Sequence, residues 1–296
     1  MAKLAERLVE NVAGEFYVDE SCIDCATCRQ IAPALYGHAE ARGLSYVQRQ
    51  PRGEEETRRA LMALVACPTA SIGTEHKVDV RPGIDAFPEP IAADVGDVLF
   101  CGFTDESSFG AWSWLVRRPG GNVLVDSPRP AGPLLRRIEA LGGVRLHFLT
   151  HRDDVAEHET LHARFGTERV LHADDVSALT RGVERRLTGR EPTRLADDLV
   201  AVPVPGHTRG SAALLYRDTF LFTGDHLWWS SEDGRLDASR SVCWWSWAEQ
   251  LRSLERLLDL RFEWVLPGHG EPWRAASAAA MRAALERALV TLRRLR

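Results

Sequence analysis

The sequence predicts an α+β protein in two domains, a small one over residues 1–80 and a larger one over residues 81–296. Three observations predict it. Four cysteines crowd the N-terminal quarter, where a fold too small for a large core needs a metal staple. Short apolar runs then alternate with helical patterns, the mark of layered strands and helices. Several of those runs end in a turn that carries a histidine or a carboxylate.

The elements follow in order. Residues 15–19 read as a strand entering a cysteine loop, and residues 29–35 as a helical turn. Residues 44–48 read as a strand. Residues 54–65 read as a helix, with Leu61, Leu64 and Val65 at helical spacing. Residues 71–73 close a small sheet. Residues 75–95, with Pro82, Pro88 and Pro90 and little periodicity, read as a linker. Strands are expected at 98–102, 111–116, 122–125, 145–149, 170–171, 199–204, 211–216, 219–222 and 264–266. Helices are expected at 132–141, from a cap at Asp153 or Asp154 to Phe165, at 247–258 and at 275–295.

Bulk composition narrows the function. The 296 residues are 45% hydrophobic and 27% charged, as in a globular protein. A net charge of -5 argues against a nucleic-acid binder. No apolar run is long enough to span a bilayer, and residues 1–10 lack a signal-peptide core. The expectation is a cytoplasmic protein that acts on a small molecule, with neither nucleic acid nor membrane as partner.

Cys22, Cys25 and Cys28 form a C-x-x-C-x-x-C run, and Cys67 is followed by Pro68. Three thiolates from one tight loop, closed by a distant Cys-Pro, are a ligand set for an iron–sulfur cluster. Zinc on the same thiolates is the alternative. In two-cluster ferredoxins the run ends in a fourth cysteine before proline. Here Ala32 precedes Pro33, and Thr57, Ala60 and Ala63 stand where the second run needs cysteines. Residues 13–75 therefore resemble a ferredoxin domain with a single [4Fe–4S] cluster. A cluster that moves electrons implies a redox partner protein. Cys101 and Cys243 read as small buried hydrophobes.

Downstream, four apolar runs lead to His151, to His207 in Pro-Gly-His-Thr-Arg-Gly-Ser, to Asp225 in Thr-Gly-Asp-His, and to His269 in Leu-Pro-Gly-His-Gly. Imidazoles and carboxylates without thiolates suit hard or borderline metals. The motif order resembles the metallo-β-lactamase superfamily over residues 95–275, which implies an αββα sandwich. The resemblance further implies one or two divalent ions (Zn, Fe or Mn), a bridging role for Asp225, catalytic roles for Asp225 and His207, and an orienting role for Asp126.

The first motif departs from the family form His-x-His-x-Asp-His. The chain reads His151-Arg-Asp153-Asp-Val-Ala-Glu157-His158. With two residues inserted, Glu157 and His158 take the Asp-His places and Asp153 the second His place. The expected metal ligands are then His151, Asp153, Glu157, His158, His207, Asp225 and His269. Without the insertion, Val155 and Ala156 replace two ligands, Glu157 and His158 lie on a solvated helix face, and His151, Asp153, His207 and Asp225 hold one metal. A carboxylate at the second position moves preference toward iron or manganese, and flavodiiron proteins are similar there.

Other residues have two readings. His226 and His172 either face the pocket or turn away; His147 reads as a core histidine. Trp228, Trp229, Trp244, Trp245 and Trp247 form either core and lid packing, or an aromatic wall of an apolar pocket or an interface with domain one. Three functions fit: a metallo-hydrolase of esters, thioesters, lactones or phosphodiesters; an iron-dependent oxidoreductase fed by its ferredoxin domain; and a non-catalytic iron–sulfur sensor. Oligomeric state is open, because the last helix can pack on domain one or on a second subunit.

Overall fold

The computed structural model describes residues 2–295. They divide into two compact units. The first holds the chain up to Asn122 together with Ser127–Val144 and Ala156–Phe165. The second holds Val123–Asp126, Arg145–Val155 and the chain from Gly166 onward.

The first unit begins with β1 (Phe16–Val18), α1 (Thr27–Ile31), β2 (Tyr36–Ala39), β3 (Leu44–Val47), α2 (Gly53–Ala66) and β4 (Ile72–Thr74). β1 pairs antiparallel with β4, and β2 with β3. Glu54, Glu55 and Glu56 occupy the first turn of α2, where the helix dipole favours acids. Ala60, Leu61, Met62, Ala63, Val65 and Ala66 are buried. The helix stops because Cys67 precedes Pro68, and a residue before proline is pushed out of the α region; Cys67 has φ -54 and ψ 120. That stop delivers Cys67.

Residues 75–95, expected as a linker, carry ordered structure. They contain α3 (Arg81–Asp85) and β5 (Glu89–Ala92), and β6 (Val95–Phe100) and β7 (Trp114–Val116) extend the antiparallel sheet. Two of the prolines stand where regular structure tolerates them. Pro82 sits in the first turn of α3, where its missing N–H costs nothing. Pro90 lies in the edge strand β5. Gly83 rests directly on α2: a Cβ there would stand 2.5 Å from the Leu61 backbone. The unit also holds α4 (Gly132–Ala140) and α5 (His158–Phe165). α5 starts four residues after Asp154, so neither Asp153 nor Asp154 caps it.

The second unit has β8 (Val123–Val125), β9 (Leu146–Phe148), β10 (Glu168–His172) and β11 (Arg185–Leu187) side by side and parallel. Every residue of β8 and β9 is buried, as parallel strands usually are. A second sheet contains β12 (Thr193–Ala196), β13 (Leu199–Pro203), β14 (Ala212–Tyr216) and β15 (Phe220–Gly224). The hairpin β16 (Trp228–Ser230) and β17 (Arg235–Asp237) follows, then α6 (Trp247–Leu257), β18 (Trp264–Pro267), β19 (Trp273–Arg274) and α7 (Ala278–Leu292). The second sheet runs in the order β12-β13-β14-β15-β18-β19. Leu254, Leu257, Leu285 and Leu289 of the two helices share one core with Leu215, Leu221 and Val265 of that sheet. No helix among the described residues is long and apolar enough to cross a membrane.

Candidate metal centres

Two chemically distinct donor sets are present. In the first unit, Cys22, Cys25, Cys28 and Cys67 line one cavity with Val18, Thr27 and Ile72. The loop bends through left-handed backbone at Asp24 (φ 59) and Ala26 (φ 64), which turns its three thiols to the same space. Backbone N–H groups reach two sulfurs: Asp24 N lies 3.5 Å from Cys22 Sγ, and Ser71 N lies 3.3 Å from Cys67 Sγ. Burial pushes the Cys28 thiol up to about 12, and the charges of Cys25, Cys22 and Cys67 push the same way. Four thiolates persist in such a cavity only around a cation. Cys101 is buried, and Cys243 donates to Gly206 O at 3.2 Å; no disulfide joins any of the six cysteines.

In the second unit, strand tips bring the second set together. Donor atoms of His151, His207 and Asp225 all lie within 4.8 Å of one another, and so do those of Asp154, Asp225 and His269. Asp225 belongs to both groups. His151 Nε2 is 3.8 Å from Asp225 Oδ2 and 3.9 Å from both Asp153 Oδ2 and Asp154 Oδ2. His207 Nε2 is 3.4 Å from Asp153 Oδ2 and 3.8 Å from Asp225 Oδ2. His269 Nδ1 is 2.8 Å from Asp225 Oδ1.

For the first motif the geometry offers Asp154 as a further candidate donor. Neither ligand group contains Glu157 or His158. Glu157 is exposed and accepts from Thr160 Oγ1, and His158 opens α5. Asp154 is the buried carboxylate beside Asp225 and His269. The reason is a non-helical bend after His151. It folds residue i+3 back toward residue i, while Val155 goes into a core with Leu149, Leu171 and Val183. Sequence spacing took Asp154 for a helix cap and so missed it.

Supporting contacts fix these donors. Asp126, itself in left-handed backbone at φ 54, accepts from Thr150 N at 2.8 Å and from Thr150 Oγ1 at 2.9 Å. Thr150 Oγ1 lies 3.0 Å from His151 Nδ1, so the network assigns the proton to Nδ1 and leaves Nε2 facing the carboxylates. Gly224 (φ +51) lies against this turn: a Cβ there would stand 2.4 Å from Thr150 Oγ1. Asp175 is buried and was not anticipated, because nothing near it in sequence marks it. It accepts from Arg152 N at 3.1 Å, Gly210 N at 2.7 Å and Thr208 Oγ1, tying the His151 turn to the His207 turn.

Electrostatics point to a cation. Burial pushes the Asp154 carboxyl well above its ordinary range, and the Asp225 charge adds to this. Burial raises Asp126 to about 7 and lowers His151 to about 4. Burial would also raise Asp225, yet the charges of His269, His151 and His207 and the hydrogen bond from His269 bring it below the usual carboxylate range. His151 Nε2, Asp154 Oδ2 and both ring nitrogens of His207 are buried with no hydrogen-bond partner. Buried, unpaired donors and clustered acids are costly unless something positive binds them. The donor chemistry therefore fits metal. Gly268 leaves the room: a Cβ there would stand 2.7 Å from Asp154 Oδ2 and 3.0 Å from Asp225 Oδ1.

The remaining candidates fall into place. His147 is a core histidine 3.1 Å from Asp126 O. His226 is buried, its ring nitrogens lack hydrogen-bond partners, and burial lowers it to about 3. His172 lines a cleft with Asp174, Arg190, Arg209 and Trp245. Trp229 stacks on Trp273 at 4.2 Å, and Trp244 and Trp245 both donate backbone N–H to His207 O. The tryptophans thus split between core and site wall.

Residues 18–74 match the family of the 4Fe–4S single cluster domain of ferredoxin I. Over 121 residues the chain is 34% identical to a hydroxyacylglutathione hydrolase of Acidiphilium cryptum (strain JF-5), covering 39% of this chain and 49% of that relative. The chain spans about half the length of the curated relative it matches. Solved structures similar to it include ETHE1 from Myxococcus xanthus, at 21% identity and TM-score 0.46, covering 65% of this chain and 85% of that one. An archaeal metallo-β-lactamase superfamily protein, ST1585 from Sulfolobus tokodaii, matches at 19% identity and TM-score 0.43, covering 60% and 79%.

Proposed function

We propose that this chain, a single-cluster ferredoxin domain followed by a metallo-β-lactamase fold, is a metal-dependent hydrolase of small acyl substrates that also carries one [4Fe–4S] cluster. The observation that carries the reading is the convergence of His151, His207, Asp225, Asp154 and His269, in which His151 Nε2, Asp154 Oδ2 and both ring nitrogens of His207 are buried without a hydrogen-bond partner. A metal held there would supply Lewis acidity and would lower the pKa of water to roughly 7. His151, Asp153, His207 and Asp225 would hold one ion, and Asp154, Asp225 and His269 a second. Thr150 keeps Nε2 of His151 turned inward. Arg209, two residues past His207, lines a cleft with His172, Asp174, Arg190 and Trp245 that offers room for a substrate beside the donor set. The similar protein of Acidiphilium cryptum is by name a hydrolase of hydroxyacylglutathione, which makes thioesters the first substrates to try.

A second reading, an iron-dependent oxidoreductase fed by the cluster, draws on the donor set. Three carboxylates beside three imidazoles favour iron or manganese more than an all-histidine site does.

Anaerobic purification with metal and sulfide analysis, followed by assays on thioester, ester, lactone and phosphodiester panels, tests both readings. The hydrolase reading expects metal beyond the cluster, and turnover that Asp225→Asn abolishes without bleaching the cluster. Hydrolysis that survives Asp225→Asn would falsify it. Excess iron with a mixed-valence EPR signal and no hydrolysis supports the oxidoreductase. Cluster iron alone supports a sensor.

A further inference from the structure

We infer that the cysteine site is completed from outside the ferredoxin-type segment: Thr104, Gly110 and Arg129 position the Cys67 and Cys25 arms and tune whatever they hold. The inference rests on the cluster part of the reading above. It starts from the end of α2. A helix leaves its last carbonyls without partners, and cations or hydroxyls placed there stabilise it. Here the carbonyls concerned belong to Val65 and Ala66, the two residues before Cys67. Thr104 Oγ1 donates to Ala66 O at 2.6 Å, and Arg129 Nη2 donates to Val65 O at 2.9 Å. Arg129 is itself anchored: its backbone N donates to Phe103 O at 2.7 Å, and its guanidinium stands 5.9 Å from the Phe103 ring.

The second contact is at Cys25. Gly110 has φ +81, and a Cβ there would stand 2.7 Å from Cys25 Cβ, 2.9 Å from Cys25 Sγ and 3.2 Å from Pro68 Cγ. Only glycine allows both that backbone and that approach. Thr27 Oγ1 donates to Gly110 O at 3.2 Å, joining the loop to the chain between Cys25 and Cys28. The shape of the loop is self-determined. Asp105 Oδ1 accepts from Ser107 N at 2.9 Å, and Gly110 N donates to Asp105 O at 2.9 Å. One loop thus covers a ligand cysteine and touches the proline after another, while its neighbours hold the helix that delivers the fourth cysteine. Solvent exclusion and nearby charge are levers on cluster potential and stability. Gly110 supplies the first lever, and Arg129 places a cation on the carbonyl two residues before Cys67.

The test uses the full chain purified without air. Readouts are iron and sulfide content, the rate of loss of visible absorbance in air, and the reduction midpoint followed by EPR. Gly110→Ala should bleach several-fold faster than the unmodified chain. Arg129→Met should lower the midpoint, because a reduced cluster carries one more negative charge and loses a nearby cation. Arg129→Lys should restore part of that shift, which a purely packing role would not do. If Gly110→Ala fails to fold, the Arg129 pair decides alone. A cluster-bearing wild type with unchanged bleaching and midpoint in these variants overturns the inference. An iron-free wild type overturns the cluster reading itself and the inference with it.

Discussion

In the proposed reading Asp154 is the residue on which a second metal ion depends. It sits three residues from His151, buried, with one oxygen that has no hydrogen-bond partner. If it is a ligand, Asp154→Ala should remove one of two non-cluster metals, while Glu157→Gln should leave both. Metal content by mass spectrometry distinguishes the two, and loss of metal from Glu157→Gln would reinstate the gapped register. Asp175 acts through the backbone of Arg152 and Gly210 and the hydroxyl of Thr208. Residues in such roles typically change metal affinity by about 10- to 100-fold. Asp175→Ala should weaken metal binding by that order in a competition titration with a coloured chelator, at unchanged stoichiometry.

At the scale of elements, the site is a set of strand exits. β8, β9, β13, β15 and β18 are each followed within four residues by Asp126, His151, His207, Asp225 and His269 in turn, and a strand end held by its ladder is a rigid mount. α6 contributes through its start: Ser246 Oγ accepts from Glu249 N, while Ser246 N donates to Gly206 O beside His207. Ser246→Ala should cost about 1 kcal/mol in urea unfolding, the usual worth of such a cap. The edge of the parallel sheet is held by an ion pair. Arg169 of β10 bonds Glu184, just before β11, and holds the Glu184 carboxyl down to about 2. The folded-state value lies below the ordinary 4.5, so this stabilisation is complete above about pH 4.5 and fades as pH falls toward 2. The Glu184 side chain is 35% exposed, so solvent screening limits the pair to about 1 kcal/mol. Glu184→Gln should therefore lower stability at pH 7 and bring it level with the unmodified chain near pH 2; equal stability at pH 7 would rule the pair out as a contributor.

Across the whole molecule, two candidate metal centres with different donor chemistry share one chain. Oxygen and nitrogen donors exchange metal with chelators, whereas sulfide-bridged iron in a thiolate cage resists them under anaerobic conditions. Anaerobic EDTA should therefore remove the non-cluster metal and lower Tm, since metal that binds only the folded state stabilises it. Visible absorbance should persist. Joint loss of both signals would mean that the centres are not separable in this way.

The cysteine run and the four strand-end turns were legible because each is local: a ligand type, a spacing and a turn residue lie within a few positions of one another. The α3 and β5 segments were not, because prolines that punctuate a linker are equally at home in a first helical turn and an edge strand. β2, β11 and the β16–β17 hairpin are strands of three or four residues, too short for alternation to register. By itself the sequence determined which donors exist, thiolates early and imidazoles with carboxylates late, and hence the class of metal each can hold. Only the tertiary structure decided that Asp154, rather than Glu157 and His158, joins Asp225 and His269. That choice is made where Arg152 N meets Asp175 and Val155 enters a core, contacts between residues far apart in the chain whose energies no spacing along it encodes.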